Sequence, residues 1–159
     1  MVSSMHAKDF MVTRLVTLPP DRDVLDAVQV LLKNRISGAP VVDRDGRYLG
    51  VFSEKCAMHV ILDAAYEQLP TNEVRAFMDT DAQTIGPETD LLAIAQVFLL
   101  TSFRRLPVLD DNGKLLGQVS RRDVMQAAMN CLDLRHQQPR EKSLLYLSAI
   151  VERHEAPMS

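Results

Sequence analysis

The stretch Ala39-Pro40-Val41-Val42-Asp43-Arg44-Asp45-Gly46-Arg47-Tyr48-Leu49-Gly50-Val51-Phe52-Ser53 is written again, without a gap, as Leu106-Pro107-Val108-Leu109-Asp110-Asp111-Asn112-Gly113-Lys114-Leu115-Leu116-Gly117-Gln118-Val119-Ser120, 67 residues further on. In each copy an apolar run meets an Asp- and Gly-containing turn and then a second apolar run. That is the pattern of a β-hairpin in which Gly supplies a positive φ. The closing Ser53 or Ser120 is a good N-cap residue for a following helix.

Working outward, the same offset matches Phe10-Met11 with Phe77-Met78, Thr13 and Thr17 with Thr80 and Thr84, Pro20 with Pro87, and Asp23 and Leu25 with Asp90 and Leu92. A repeat of this length settles the architecture before any single element is considered. It spans Phe10 to Ile61 and Phe77 to Ala128. Each copy opens with a short extended segment, Leu15 to Leu18 or Gln83 to Ile85, that ends at a proline-containing turn. A helix follows. In the first copy Val24, Leu25, Val28, Leu31 and Leu32 form one helical stripe. The second keeps it as Leu91, Leu92, Ala95, Phe98 and Leu99 and adds Ile94, Val97 and Leu100, so that helix is expected to be buried on both sides.

Each unit therefore reads β-α-β-β-α. So few elements cannot cover both faces of a small sheet, and the units must pack on each other. The expected fold is α/β, more narrowly α+β, with two pseudo-symmetric units packed through their sheets. The units are placed at 8–61 and 75–130, with a linker at 62–74 containing the turn Pro70-Thr71-Asn72. The tail 131–159 carries an amphipathic pattern over 140–155 through Leu144, Leu147 and Val151.

The 159-residue chain is 47% apolar, enough for a substantial core, and a formal charge of −3 gives no reason to expect a nucleic-acid partner. Its two cysteines, Cys56 and Cys131, form no disulfide framework or C-x-x-C motif. The histidines His6, His59, His136 and His154 are scattered, so no metal site is expected. The longest apolar run, Leu91 to Leu100, is interrupted by Gln96 and falls far short of the ~20 residues of a membrane span. A soluble, cytoplasmic protein is expected. No nucleophile–base pair, metal set or Walker-type loop is present, so no enzymatic activity is expected.

The ordered string in each unit resembles one family. It comprises the Thr-x-x-Pro entry (Thr17 to Pro20, Thr84 to Pro87), the amphipathic helix, Pro-Val-Val/Leu-Asp, the Asp/Asn-Gly turn and Leu-Gly-x-x-Ser. Over about Lys8 to Met129 the chain is similar to the tandem cystathionine-β-synthase (CBS) domain pair, or Bateman module. The resemblance implies a non-catalytic regulatory module with two clefts, often a homodimer, that senses an adenosine-containing ligand: AMP, ADP, ATP or S-adenosylmethionine. No other cofactor is implied.

The family's ligand motif, Gly-h-x-Ser/Thr-x-x-Asp, is matched in full by Gly117-Gln118-Val119-Ser120-Arg121-Arg122-Asp123. A helix N-terminus offers unpaired N–H groups and partial positive charge to a phosphate, and a carboxylate can accept from both hydroxyls of a ribose. Ser120 is thus expected to meet phosphate and Asp123 ribose, with Arg121 and Arg122 adding charge. Ser-x-x-Asp is also a capping box, and capping alone would explain both residues. By the resemblance, Arg104, Arg105, Leu106 and Pro107 line the same cleft, and Thr84 and Ile85 add backbone and hydroxyl contacts. The first copy keeps Ser53 but places Cys56 where the aspartate belongs and Glu54 where Arg121 stands. Its weaker cleft is expected at Thr17, Leu18, Ser37, Gly38, Ala39, Pro40 and Ser53. The expectation is one working cleft, or two with different ligands. The alternative is a constitutive dimerisation or interaction module with degenerate clefts.

Overall fold

A computed structural model of the chain describes residues 5–66 and 73–135. The amphipathic pattern at 140–155 and the turn at 70–72 lie outside them. The elements run α1 (Ala7–Phe10), α2 (Val24–Asn34), β1 (Gly38–Val42), β2 (Tyr48–Ser53), α3 (Glu54–Ala65), α4 (Leu91–Leu100), β3 (Arg105–Leu109), β4 (Leu115–Ser120) and α5 (Arg121–Arg135), with a short 3₁₀ turn at Val74–Ala76.

The repeat is reproduced element by element. Strands β1 and β2 pair antiparallel with Gly38 opposite Ser53, and β3 and β4 with Arg105 opposite Ser120. Gly46 (φ 81°) and Gly113 (φ 80°) supply the left-handed turn positions. The helices after the entry turns start at matching aspartates. Asp23 Oδ1 accepts from the Leu25 and Asp26 N–H groups at 2.8 and 3.3 Å, and Asp90 Oδ1 from the Ala93 N–H at 2.8 Å.

The leading extended segments shrink to single parallel bridges, Leu18 with Val41 and Ile85 with Val108. The Leu18 N–H donates to Pro40 O and the Ile85 N–H to Pro107 O, and the next donors in line, at Pro20 and Pro87, have no N–H to continue either ladder. The helical stripes are also narrower than the sequence pattern. In α2 the buried residues are Val24, Ala27 and Leu31, while Leu25 and Leu32 are exposed. In α4, Ile94 is fully buried but Leu100 is 85% exposed, so this helix is covered on one side only. A two-stranded hairpin is too narrow to cover more of either helix, and the described residues place nothing on the outer face.

The units are joined by exchanged segments. Val12 and Gln118 hydrogen-bond to each other in both directions at 2.9 Å, which adds the start of the first repeat to the second sheet. Asp79 and Val51 do the same at 2.8 and 2.9 Å, adding the start of the second repeat to the first sheet. The cores follow suit. Ala7, Phe10 and Met11 pack with Ile94, Leu106 and Val119, whereas Val74, Phe77 and Met78 pack with Leu31, Val41 and Phe52. Between the hairpin turns, the Tyr48 N–H donates to Gly113 O and the Leu115 N–H to Gly46 O, each at 3.0 Å. These symmetric pairs define a pseudo-two-fold axis.

The exchange explains the glycine of each Leu-Gly pair. A Cβ on Gly50 would lie 2.6 Å from Asp79 O, and one on Gly117 2.7 Å from Val12 O. Close backbone approach, with no unusual φ, requires glycine there.

Candidate functional site

Two adjoining cavities open where each helix N-terminus faces the other unit. One, of about 420 Å³, lies beside Ser53 and is lined by Ser37, Gly38, Pro40, Val51, Ser53, Glu54, Lys55, Asp79, Ala82, Ser102, Phe103, Arg104, Arg105, Pro107 and Gln118. The other, of about 280 Å³, lies beside Ser120 and Asp123 and is lined by Val12, Arg14, Leu15, Val16, Ile36, Gly38, Pro40, Arg105 and Gln118 as well. Their sizes approach or fall within the range of ~300–1,000 Å³ typical of small-molecule sites.

At the second cavity the Ser120 N–H donates to Asp123 Oδ2 at 2.9 Å, and the Asp123 N–H donates to Ser120 Oγ at 3.2 Å. This is a reciprocal capping box. It occupies one carboxylate oxygen and leaves Oδ1 without a hydrogen bond among the described residues. The Ser120 hydroxyl proton is likewise uncommitted, so capping and ligand contact are compatible.

At the first cavity the thiol behaves differently. Ser53 Oγ accepts from the Cys56 N–H and donates to Cys56 Sγ, both at 3.3 Å, and Cys56 Sγ donates to Val51 O at 3.7 Å. Cys56 is 6% exposed and belongs to the first core, so the residue at the position of the missing carboxylate presents no acceptor to the cavity. Positive charge comes instead from Lys55, Arg104 and Arg105, opposed by Glu54 and Asp79.

The residues expected from sequence are thus distributed over both units. Ser120, Asp123 and Arg105 come together at the second cavity; Arg104, Arg105, Pro107, Ser37 and Ser53 meet at the first; Gly38 and Pro40 face both. Leu18, Ala39, Ile85 and Leu106 are buried in the cores. Thr84 lines neither cavity, and Thr17 faces a third one with Arg44 and Arg75. Arg121 and Arg122 are exposed and line neither; the Arg121 guanidinium lies 5.9 Å from the Phe98 ring centroid, in cation–π range on the α4 side. Arg14, Leu15, Val16, Ile36 and Phe103 were not anticipated. Arg14, Leu15 and Val16 follow the exchanged segment at Val12, whereas Ile36 and Phe103 stand just before β1 and β3, and their only trace in the sequence is the spacing that pairs Leu15 with Ala82 and Ile36 with Phe103. Among the described residues, no His/Cys/Asp/Glu group is placed to hold a metal ion, and no helix is long and apolar enough to cross a membrane.

Comparison with known proteins agrees with this geometry. The CBS domain family model matches residues 7–63 and 74–130. An uncharacterized protein of Methanocaldococcus jannaschii is 29% identical over 77% of this chain and 90% of its own length. The crystal structure of CBSX2 in complex with AMP shares 30% identity at a TM-score of 0.71, covering 79% of this chain and 97% of that one; CBSX2 is an Arabidopsis thaliana CBS-pair protein. The same pair also forms a small part of larger proteins: the A-adding tRNA nucleotidyltransferase of Aquifex aeolicus is 26% identical over 81% of this chain but only 15% of its own length. With two matched repeats, exchanged leading segments and a cavity at each helix N-terminus, the chain belongs to the CBS domain family, as a tandem pair.

Proposed function

We propose that this pair is a regulatory module that senses an adenosine-containing ligand, AMP, ADP, ATP or S-adenosylmethionine, chiefly in the cavity beside Ser120 and Asp123. The observation that carries the reading is the half-committed capping box. Asp123 Oδ1 and the Ser120 hydroxyl are free at a helix N-terminus that faces a cavity also holding Arg14 and Arg105. Phosphate is served by the helix N-terminus and the arginines, and ribose by the carboxylate. The apolar walls, Val12, Leu15, Val16, Ile36 and Pro40, suit a purine. The similar CBSX2 structure with AMP supports a nucleotide of this class. The ligand acts by favouring one arrangement of an interface, to the extent of its differential affinity for the two. The reading assigns no catalytic residue.

Calorimetric titration with the four ligands tests it, on the wild type and on Asp123→Asn. Asparagine retains an acceptor for the Ser120 N–H but loses the charge, so the cap survives. Affinity is expected to fall about 10- to 100-fold, the equivalent of losing a charge-assisted hydrogen bond. Failure of all four ligands to bind the wild type overturns the reading.

A second reading, a homodimer whose main role is interaction, is favoured by a different observation. Leu25 and Leu32 on α2, Met58, Ile61 and Leu62 on α3, Leu99 and Leu100 on α4, and Met125 and Met129 on α5 are all exposed. Such faces are suited to a second copy of the chain. The two readings are compatible, since a dimer interface is what a sensed ligand would bias.

A further inference from the structure

The two cavities are not separate chambers. They share a wall made by Gly38, Pro40, Arg105 and Gln118. The position that begins each hairpin lies opposite the capping serine, Gly38 opposite Ser53 and Arg105 opposite Ser120. The two positions are equivalent under the repeat, yet only one carries a side chain. Arg105 makes no ion pair among the described residues, is half-buried, and reaches into both cavities.

We infer that Arg105 is a single anion anchor shared by the two clefts and that it couples them negatively. This rests on the reading that the clefts take phosphate-bearing adenosine ligands. A phosphate in one cavity recruits the guanidinium, which forms directional, charge-assisted hydrogen bonds and cannot serve two anions in separate cavities equally well. The second phosphate then meets a cleft whose anchor is already engaged, with a like charge across the shared wall. Lys55 and Arg104 belong to the Ser53 cavity alone and Arg14 to the Ser120 cavity alone, so they give each cleft residual affinity but no exchange between them. The coupling follows from an asymmetry between the two repeats of this chain, arginine in one and glycine in the other.

The structure also supplies the converse variant. A Cβ on Gly38 would lie 3.4 Å from Phe52 O and 3.5 Å from Ser53 Cα, ordinary contact distances, so Gly38→Arg can give the Ser53 cavity its own guanidinium.

The test is calorimetric titration of the full chain with AMP, ADP and ATP, with the fold of each variant checked by thermal unfolding. For the wild type the second equivalent is expected to bind at least about tenfold more weakly than the first, or not measurably, as loss of one charged contact implies. Gly38→Arg should bring the two equivalents to within about threefold of each other, and Arg105→Gly should weaken the first by about tenfold while also closing the gap. Two equal, independent equivalents in the wild type overturn the inference, as does a gap that Gly38→Arg leaves unchanged or a first affinity that Arg105→Gly leaves intact. If Gly38→Arg does not fold, Arg105→Gly alone decides. Absence of binding by every nucleotide overturns the proposed function and this inference with it, whereas equal binding at both clefts removes the inference and the preference for the Ser120 cavity but leaves the sensor reading standing.

Discussion

Tyr48 carries a buried phenolic oxygen with no hydrogen-bond partner among the described residues. Burial first, and the Asp79 charge second, push its pKa up from 10.0 to about 12. Between those values the unfolded chain gives up a proton that the folded chain retains. The stability associated with the neutral phenol is therefore complete below pH 10.0 and is lost as pH rises through about 12. Tyr48→Phe should remove that alkaline loss. It should also raise stability at neutral pH by roughly 1 kcal/mol, because an unpaired buried hydroxyl is replaced by hydrogen. Denaturant unfolding at pH 7 and across the alkaline range checks both; equal stability and the same alkaline slope in the variant would count against this account. The second repeat has Leu115 at the matching position and meets no such conflict.

At the scale of elements, the exchanged strands impose the tightest demand. Gly50→Ala and Gly117→Ala each press a methyl group onto a backbone carbonyl of the other unit, and each should cost about 1–3 kcal/mol. Gly46→Ala would strain a turn through its positive φ but meets no atom within 4 Å, so comparing the unfolding midpoints of these variants separates close approach from turn geometry. This difference also marks what could be read from sequence. The hairpins, their glycine turns and the capping serines and aspartates were legible because each depends on a few neighbouring residues. The role of Gly50 and Gly117 was not, since the strand that presses on them comes from the opposite repeat. For the same reason Arg104 could not be assigned to the Ser53 cavity from sequence, nor could Arg14 and Ile36 be seen as walls of the Ser120 cavity. The periodicity of α2 and α4 gave the helices but overstated their buried faces, because a pattern of leucines does not report how wide the supporting sheet is.

For the whole molecule, the leucines and methionines exposed on α2 to α5 carry the proposal of a homodimer. Sedimentation or light scattering of Leu32→Glu and Leu100→Glu, which lie 73% and 85% exposed in the single chain, should show a shift toward monomer with little change in the fold. A wild type that is monomeric at all accessible concentrations would overturn it. A different consequence follows from the exchanged leading segments, and it concerns the order in which the chain can fold. The α1 segment precedes both hairpins in the chain, yet it and the residues just after it find partners in the second repeat: Lys8 pairs with Glu88 across 80 residues, and Val12 bonds with Gln118. Closing so long a loop is costly in entropy before the contacts are gained, and non-local pairing of this kind slows folding. During synthesis the first hairpin must wait for Asp79 to leave the ribosome, and the N-terminal segment must wait for nearly the whole second repeat. The repeat that defines the sequence is therefore not a unit that matures alone. Both halves are expected to lock in a single late step.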